Sequence, residues 1–175
     1  MKQMTIQTYL IIIIGFISCN KSDDLSNTLG NQDSLTYYSQ NKVDSILNNK
    51  MSDKNYPDII THLLGRSKNE DAYYLVMKRS EQGNVERHEQ WDDVAVIRSG
   101  HGILKTGYNV TGDTKELDKN WTGGMIQDAN KIKLSPGDFI VIPAMMAHQY
   151  IPDPGDTLIY WTIKVKRTSN SDENK

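Results

Sequence analysis

From about residue 71 the chain settles into short apolar runs rich in β-branched and aromatic residues, separated by Gly, Pro, Asn and Asp. They are Ala72 to Lys78, Val94 to Arg98, Gly102 to Tyr108, Lys131 to Leu134, Phe139 to Ile142 and Leu158 to Lys166. Runs of this length between turn residues predict strands, and their succession predicts an all-β sandwich or barrel over residues 71–166. Leu158 to Lys166 alternates only over its second half, the pattern of a strand half-buried against a core. Upstream, Leu35, Tyr38, Val43, Ile46 and Leu47 recur at loosely helical spacing, and the stretch from Pro57 to Gly65 has a helix-start Pro and a stop Gly. Residues 35–70 therefore predict a helical extension of one or two short helices packed outside the sheet. No repeat of fixed period is present, so nothing supports a solenoid or propeller.

The ends of the chain carry a different pattern. Lys2 is followed by an unbroken apolar run from Tyr9 to Ile17, about the length of a secretory signal's hydrophobic segment and too short to span a bilayer as a helix. The run leads into Phe16-Ile17-Ser18-Cys19, which resembles a bacterial lipobox, and Cys19 is the only cysteine of the chain. The resemblance implies that residues 1–18 are a lipoprotein signal peptide and that Cys19 receives the lipid, palmitate among its chains. The competing readings are a secreted protein with a buried free thiol and an uncleaved anchor. Asn20-Lys21-Ser22-Asp23-Asp24 resembles the acidic surface-export signals of Bacteroidota-type lipoproteins, which implies a bacterial outer membrane location and leaves its face open. Residues 19–34 are too polar to build a core and read as a flexible tether; residues 167–175 read as a disordered polar tail.

Composition removes one class of function. In 175 residues, 20 Lys and Arg face 22 Asp and Glu, so no positive field favours nucleic acid. Lipid, and not charge, is then the expected tie to the membrane. A single cysteine excludes an internal disulfide, and no Gly-rich phosphate loop, paired-Cys motif or Gly-x-Ser-x-Gly elbow occurs.

Two segments carry the candidate chemistry. In the first, Glu86, His88 and Gln90 share one face of an extended strand because the side-chain period is two, and a turn near Trp91-Asp92 would bring Asp93 back beside them. In the second, a Pro136-Gly137-Asp138 turn feeds an apolar strand that ends in Pro143, small residues and His148. These segments resemble the two motifs of the cupin family. Glu86-x-His88-x4-Asp93-x6-Gly100 keeps the spacing of the first motif, with Glu for its first His and Asp for its Glu. Gly137-x5-Pro143-Ala144-Met145-x2-His148 keeps the second, with Met145 where the family has Gly. The pattern is also similar to a group of small cupins with a Gly-Gly segment, here Gly123-Gly124, before the second motif.

The resemblance implies a jelly-roll β-barrel holding one divalent metal ion, with Glu86, His88, Asp93 and His148 as ligands. Two imidazoles and one or two carboxylates form a mixed set suited to Mn, Fe, Ni or Zn, and the extra carboxylate favours Mn or Zn. A rival register, His88-x-Gln90-x2-Asp93, fits the family less well. The plainer reading makes Glu86 and Asp93 surface partners of Arg87, Arg98 or Lys side chains, and His148 a barrel-end histidine. His62 and His101 read as structural or exposed, and Met77, Met145 and Met146 as core or pocket lining. Trp91, Trp121, Trp161, Tyr150 and Tyr160 include faces able to stack on a sugar ring, with core packing the stronger reading for Trp161. The expected function is a lipid-anchored cupin binding a divalent metal and a small polar organic ligand, a carbohydrate or sugar acid in one version. In its enzymatic form it is an isomerase, lyase or dioxygenase with Glu86 or Asp93 moving the proton. The alternative is a non-catalytic binding or interaction lipoprotein, and homodimerisation through sheet edges is compatible with either.

Overall fold

The computed structural model describes residues 37–49, 58–116 and 120–167. The signal segment, Cys19, the tether, Pro57 and residues 168–175 lie outside the described residues. Helix α1 (Gln40–Asn49) comes first, followed by strands β1 (Ile59–Arg66), β2 (Ala72–Arg79), β3 (Glu86–His88), β4 (Trp91–Ser99) and β5 (Gly102–Gly107). Four short strands follow: β6 (Val110–Thr111), β7 (Thr114–Lys115), β8 (Asn120–Thr122) and β9 (Met125–Ile126). The chain closes with β10 (Asn130–Leu134), β11 (Phe139–Ile142), β12 (Ala147–Pro152) and β13 (Leu158–Lys166).

The strands form a five-stranded sheet in the order β1-β2-β13-β4-β11 and a six-stranded sheet in the order β10-β5-β12-β3-β8-β7, with β6 and β9 paired separately. Period two decides what lies between the sheets. On β4, Asp93, Ala95 and Ile97 are buried while their neighbours are less so; on β13, Leu158, Tyr160 and Thr162 face the same interior. With Leu104, Leu134, Ile142 and Tyr150 they make the main core, against which Met77, Ile140 and Met146 pack. The interior is thus apolar at one end and receives Asp93 at the other.

Residues 59–66 differ from expectation. They form β1, paired with β2 from Ile59 opposite Arg79 to Arg66 opposite Tyr73, so the sheet begins before residue 71 and α1 is the one helix among the described residues. Gly65, which reads as a helix stop, instead follows a break in register after Leu63, a use of glycine common in bulged strands. Helix α1 itself forms as the spacing predicts. The Ser39 hydroxyl accepts the Lys42 backbone N–H at 3.3 Å as an N-cap, Val43 and Leu47 are buried on Val76, and Asp44 pairs with Arg98 at 2.7 Å. Ile159 and Trp161 lie under this helix. β13 is therefore covered on both faces through its first half, which is why alternation is absent there, and Trp161 is half-buried against Val43, Leu47 and Val76, a packing role as expected.

Candidate functional site

The strand register assembles the site from both sheets. In the six-stranded sheet His148 of β12 lies opposite Glu86 of β3, and His88 lies opposite Asn120 of β8. In the five-stranded sheet Lys164 of β13 lies opposite Asp93 of β4. Two backbone ties pin the two sequence motifs together. The Met145 N–H donates to the His88 carbonyl at 2.8 Å, and the Ala144 N–H donates to the Asp92 carboxylate at 2.6 Å. The turn around Gly100 is equally constrained, because its φ is +82° and any side chain there would collide with the Thr157 carbonyl.

Glu86, His88 and His148 each present one ligand atom, and these atoms lie within 4.8 Å of one another. His88 and His148 are buried, with ring centroids 5.5 Å apart, and Glu86 is half-buried beside them. Asp93, also buried, brings a carboxylate oxygen within 3.5 Å of Nε2 of both histidines. The four residues named by the motif spacing therefore converge on one point; Gln90 is half-buried, and its backbone carbonyl accepts the Arg167 N–H. The plainer expectation, surface pairing of Glu86 and Asp93, does not describe Asp93, which is buried. Arg87 pairs with Asp113, and Arg98 with Asp44, rather than with Glu86 or Asp93.

Asp93 does meet a lysine, inside the barrel. Nζ of Lys164 donates to the two carboxylate oxygens of Asp93 at 2.8 and 2.9 Å and lies 2.8 Å from Nε2 of His88. An ammonium has donors only, so Nε2 of His88 must be the acceptor, and Nδ1 carries the proton that it donates to Asn120 Oδ1 at 2.8 Å. His148 has the same tautomer if its Nδ1–H donates to the Met146 carbonyl at 3.3 Å, which leaves Nε2 facing Asp93. Lys164, Asn120 and the buried Arg79 are the site residues that sequence reasoning missed. Arg79 lies over the rings of Tyr150 and Tyr160, which stack on each other at 4.5 Å.

These neighbours set the electrostatics. Burial alone would raise the Asp93 carboxyl, but the Lys164 ammonium and the two histidines outweigh it and hold the group well below the ordinary carboxylate range. Glu86 moves the same way: burial opposes, while His88, His148, Arg79 and Lys164 together favour the charged form. His148 is pushed down to about 4 because burial outweighs the pull of Asp93, so its imidazole is neutral and its Nε2 lone pair is available at pH 7. Burial lifts the Tyr160 hydroxyl to about 12 and Tyr150 well above its usual value, so both hydroxyls stay neutral.

The aromatic candidates divide. Tyr150 and Tyr160 lie in the interior next to the histidines, Tyr150 with its ring centroid 6.2 Å from that of His148. Trp121 instead carries the Arg87 guanidinium 4.2 Å above its ring, and Trp91 packs against Tyr73 at 5.0 Å. His101 pairs with Asp156 on the surface, and half-buried His62 is on β1, outside the group. Met77 and Met146 pack on the core, whereas Met145 is 38% exposed and sits at φ +67°. At the position where the cupin motif has Gly, this chain thus carries a side chain on a left-handed backbone.

The donor set fits a divalent ion: neutral imidazole nitrogens and carboxylate oxygens, buried and convergent, match the preferences of Mn, Fe, Ni or Zn. Glu86, His88 and His148 could hold such an ion. No family model and no curated protein matches the sequence. Among solved structures, the chain is similar to KdgF from Halomonas sp., at 15% identity and a TM-score of 0.50, covering 77% of this chain and 96% of that one. It also matches a cupin 2 conserved barrel domain protein from Rhodopseudomonas palustris (20% identity, TM-score 0.45, 66% and 69% covered). A cupin-2 domain protein from Rhodospirillum rubrum matches at 14% identity and a TM-score of 0.47, with 67% and 68% covered. At 15% identity the likeness to KdgF concerns architecture, and it agrees with the two-sheet topology and the convergence of the two motif segments: this chain has the all-β, cupin-type jelly-roll fold.

Proposed function

We propose that the protein is a lipid-anchored cupin of the bacterial outer membrane that holds one divalent metal ion through Glu86, His88 and His148 and binds a small polar organic ligand. The observation that carries this reading is the convergence of those three ligand atoms within 4.8 Å of one another, with both histidines buried. The lipid attaches at Cys19, the lone cysteine that follows the apolar leader. When bound, the metal supplies Lewis acidity toward a carbonyl or hydroxyl, chemistry that suits an isomerase, a lyase or a dioxygenase. Asn120 and Met146 fix the two imidazoles with Nε2 inward. Glu86 and Asp93 both stay ionised beside them, and either would accept a proton from the ligand in the enzymatic version. Glu86 and Asp93 already balance Arg79 and Lys164, so a bound divalent ion would leave the group net positive, which supports a ligand bearing an anionic group, a sugar acid before a neutral sugar.

Elemental analysis of the purified chain, beside a His88→Ala, His148→Ala double variant, tests the metal. About one equivalent of Mn, Zn, Fe or Ni that the double variant lacks is the expected result. Absence of metal after reconstitution with all four ions would refute it. Labelling cells with radioactive palmitate tests the anchor: incorporation is expected in the natural chain and not in Cys19→Ser. The second reading, a non-catalytic binding lipoprotein without metal, is favoured by one observation, the Lys164 ammonium already bonded to Asp93 and His88.

A further inference from the structure

Lys164 belongs to neither motif segment, yet period two places it on the face of β13 that also presents Leu158, Tyr160 and Thr162 to the interior. Its register partner across the sheet is Asp93. The side chain, 18% exposed, reaches inward far enough for Nζ to contact both Asp93 oxygens and Nε2 of His88 at 2.8 to 2.9 Å. A neutral imidazole has one lone pair. With the His88 Nδ1 proton committed to Asn120, the Nε2 lone pair is the ring's only means of binding a cation, and Lys164 takes it. An ion on His88 Nε2 and an ammonium on the same atom exclude each other.

Charge points the same way. Two carboxylates, Glu86 and Asp93, face two cations, Arg79 and Lys164, so the group is balanced without metal and would carry an uncompensated double positive charge if a divalent ion joined it. Uncompensated buried charge is costly, and departure of the ammonium relieves half of it. Departure also frees both Asp93 oxygens, which lie within 3.5 Å of the two Nε2 atoms. The lysine stem is flexible and partly exposed, so it has a way out toward solvent.

Resting on the metal-binding reading above, we propose that Lys164 is a built-in competitor for the metal: its ammonium occupies Asp93 and His88 in the metal-free protein, and a divalent ion loads only by displacing it. Displacement makes Asp93 the fourth ligand. Lys164 is a positioning and competing residue here, with no reacting atom of its own.

The test is calorimetric titration of the full-length, chelator-treated chain in detergent with Zn2+ and with Mn2+, for the natural protein, Lys164→Met and Lys164→Arg. The expected result is at least tenfold tighter binding in Lys164→Met, with Lys164→Arg no tighter than the natural chain. A second readout needs no variant: acetylation of lysines in the natural chain, followed by peptide mass spectrometry, should show Lys164 modified several-fold faster with Zn2+ present than with chelator. Equal affinities for the natural chain and Lys164→Met, or Lys164 labelling that does not change on loading, would overturn the competition and leave the metal site standing. Binding by Lys164→Met alone would support the competition and overturn the resident metal. No binding by any variant would overturn both.

Discussion

Asp93→Asn isolates the pair at the centre of the site without involving metal, provided the protein is kept in chelator. The carboxylate is 5% exposed and accepts two short bonds from one ammonium. Asparagine keeps the shape and one acceptor oxygen but removes the charge, leaving the Lys164 ammonium in the barrel interior. Removing one partner of a buried ion pair costs about 3–5 kcal/mol. Because Lys164 keeps 18% of its side chain exposed and can turn toward water, the lower end applies, about 3 kcal/mol. In a domain of this size each kcal/mol moves the midpoint by about 4 °C, so the expected loss is roughly 12 °C. Adding Lys164→Met removes the stranded charge, and the double variant should recover about 1–2 kcal/mol of the loss, because only a neutral buried amide then remains without its partner. Urea and thermal melts of the four proteins of the cycle measure both numbers. A loss below about 1 kcal/mol in Asp93→Asn, or a double variant no better than the single one, would show that Lys164 and Asp93 do not form the buried pair described.

Three further outcomes follow from the same geometry. His148 sits at about 4 when folded against an ordinary 6.5, so the unfolded chain takes up a proton first as acid is added; stability present above pH 6.5 is lost as pH falls toward 4, by at most about 3 kcal/mol. Melts between pH 7 and 4.5 should show this slope in the metal-free natural chain and a flatter one in His148→Gln; equal slopes would contradict it. Asp93 and Glu86 are depressed, so their contributions are present above ordinary carboxylate values and are lost only at still lower pH. At Met145, whose φ is +67°, glycine should be more stable than alanine by about 1 kcal/mol in chemical denaturation, reversing the usual order. In the Gly-Gly segment, Gly124→Ala would put its Cβ 2.5 Å from the Thr111 carbonyl, whereas Gly123 has open space. Gly124→Ala should therefore cost more than the 1–2 kcal/mol or so of left-handed strain that both positions share, and equal losses would refute the contact.

Much of the barrel was legible because strands covered on one face alternate, and those covered on both read as apolar runs. Six predicted runs correspond to β2, β4, β5, β10, β11 and β13 with small shifts at their ends. The stretch at 59–66 misleads because Ile59-Ile60 and Leu63-Leu64 satisfy either period and the flanking Pro57 and Gly65 imitate helix punctuation. β6 to β9 are two or three residues long, too short for any period to register. Glu86, His88, Asp93 and His148 were readable from spacing within two compact segments. Lys164 and Asn120 were not, since each is a cross-strand partner of a site residue from a remote segment, and register between remote strands is set by the folded sheet.

The most direct test of the account is a crystal structure of the chain soaked in Zn2+, with data collected on both sides of the zinc absorption edge. The account predicts one strong anomalous peak bonded to Glu86, Nε2 of His88 and Nε2 of His148, with Lys164 Nζ moved off Asp93. No peak among those residues, with the Lys164 to Asp93 bonds intact at saturating zinc, would contradict it.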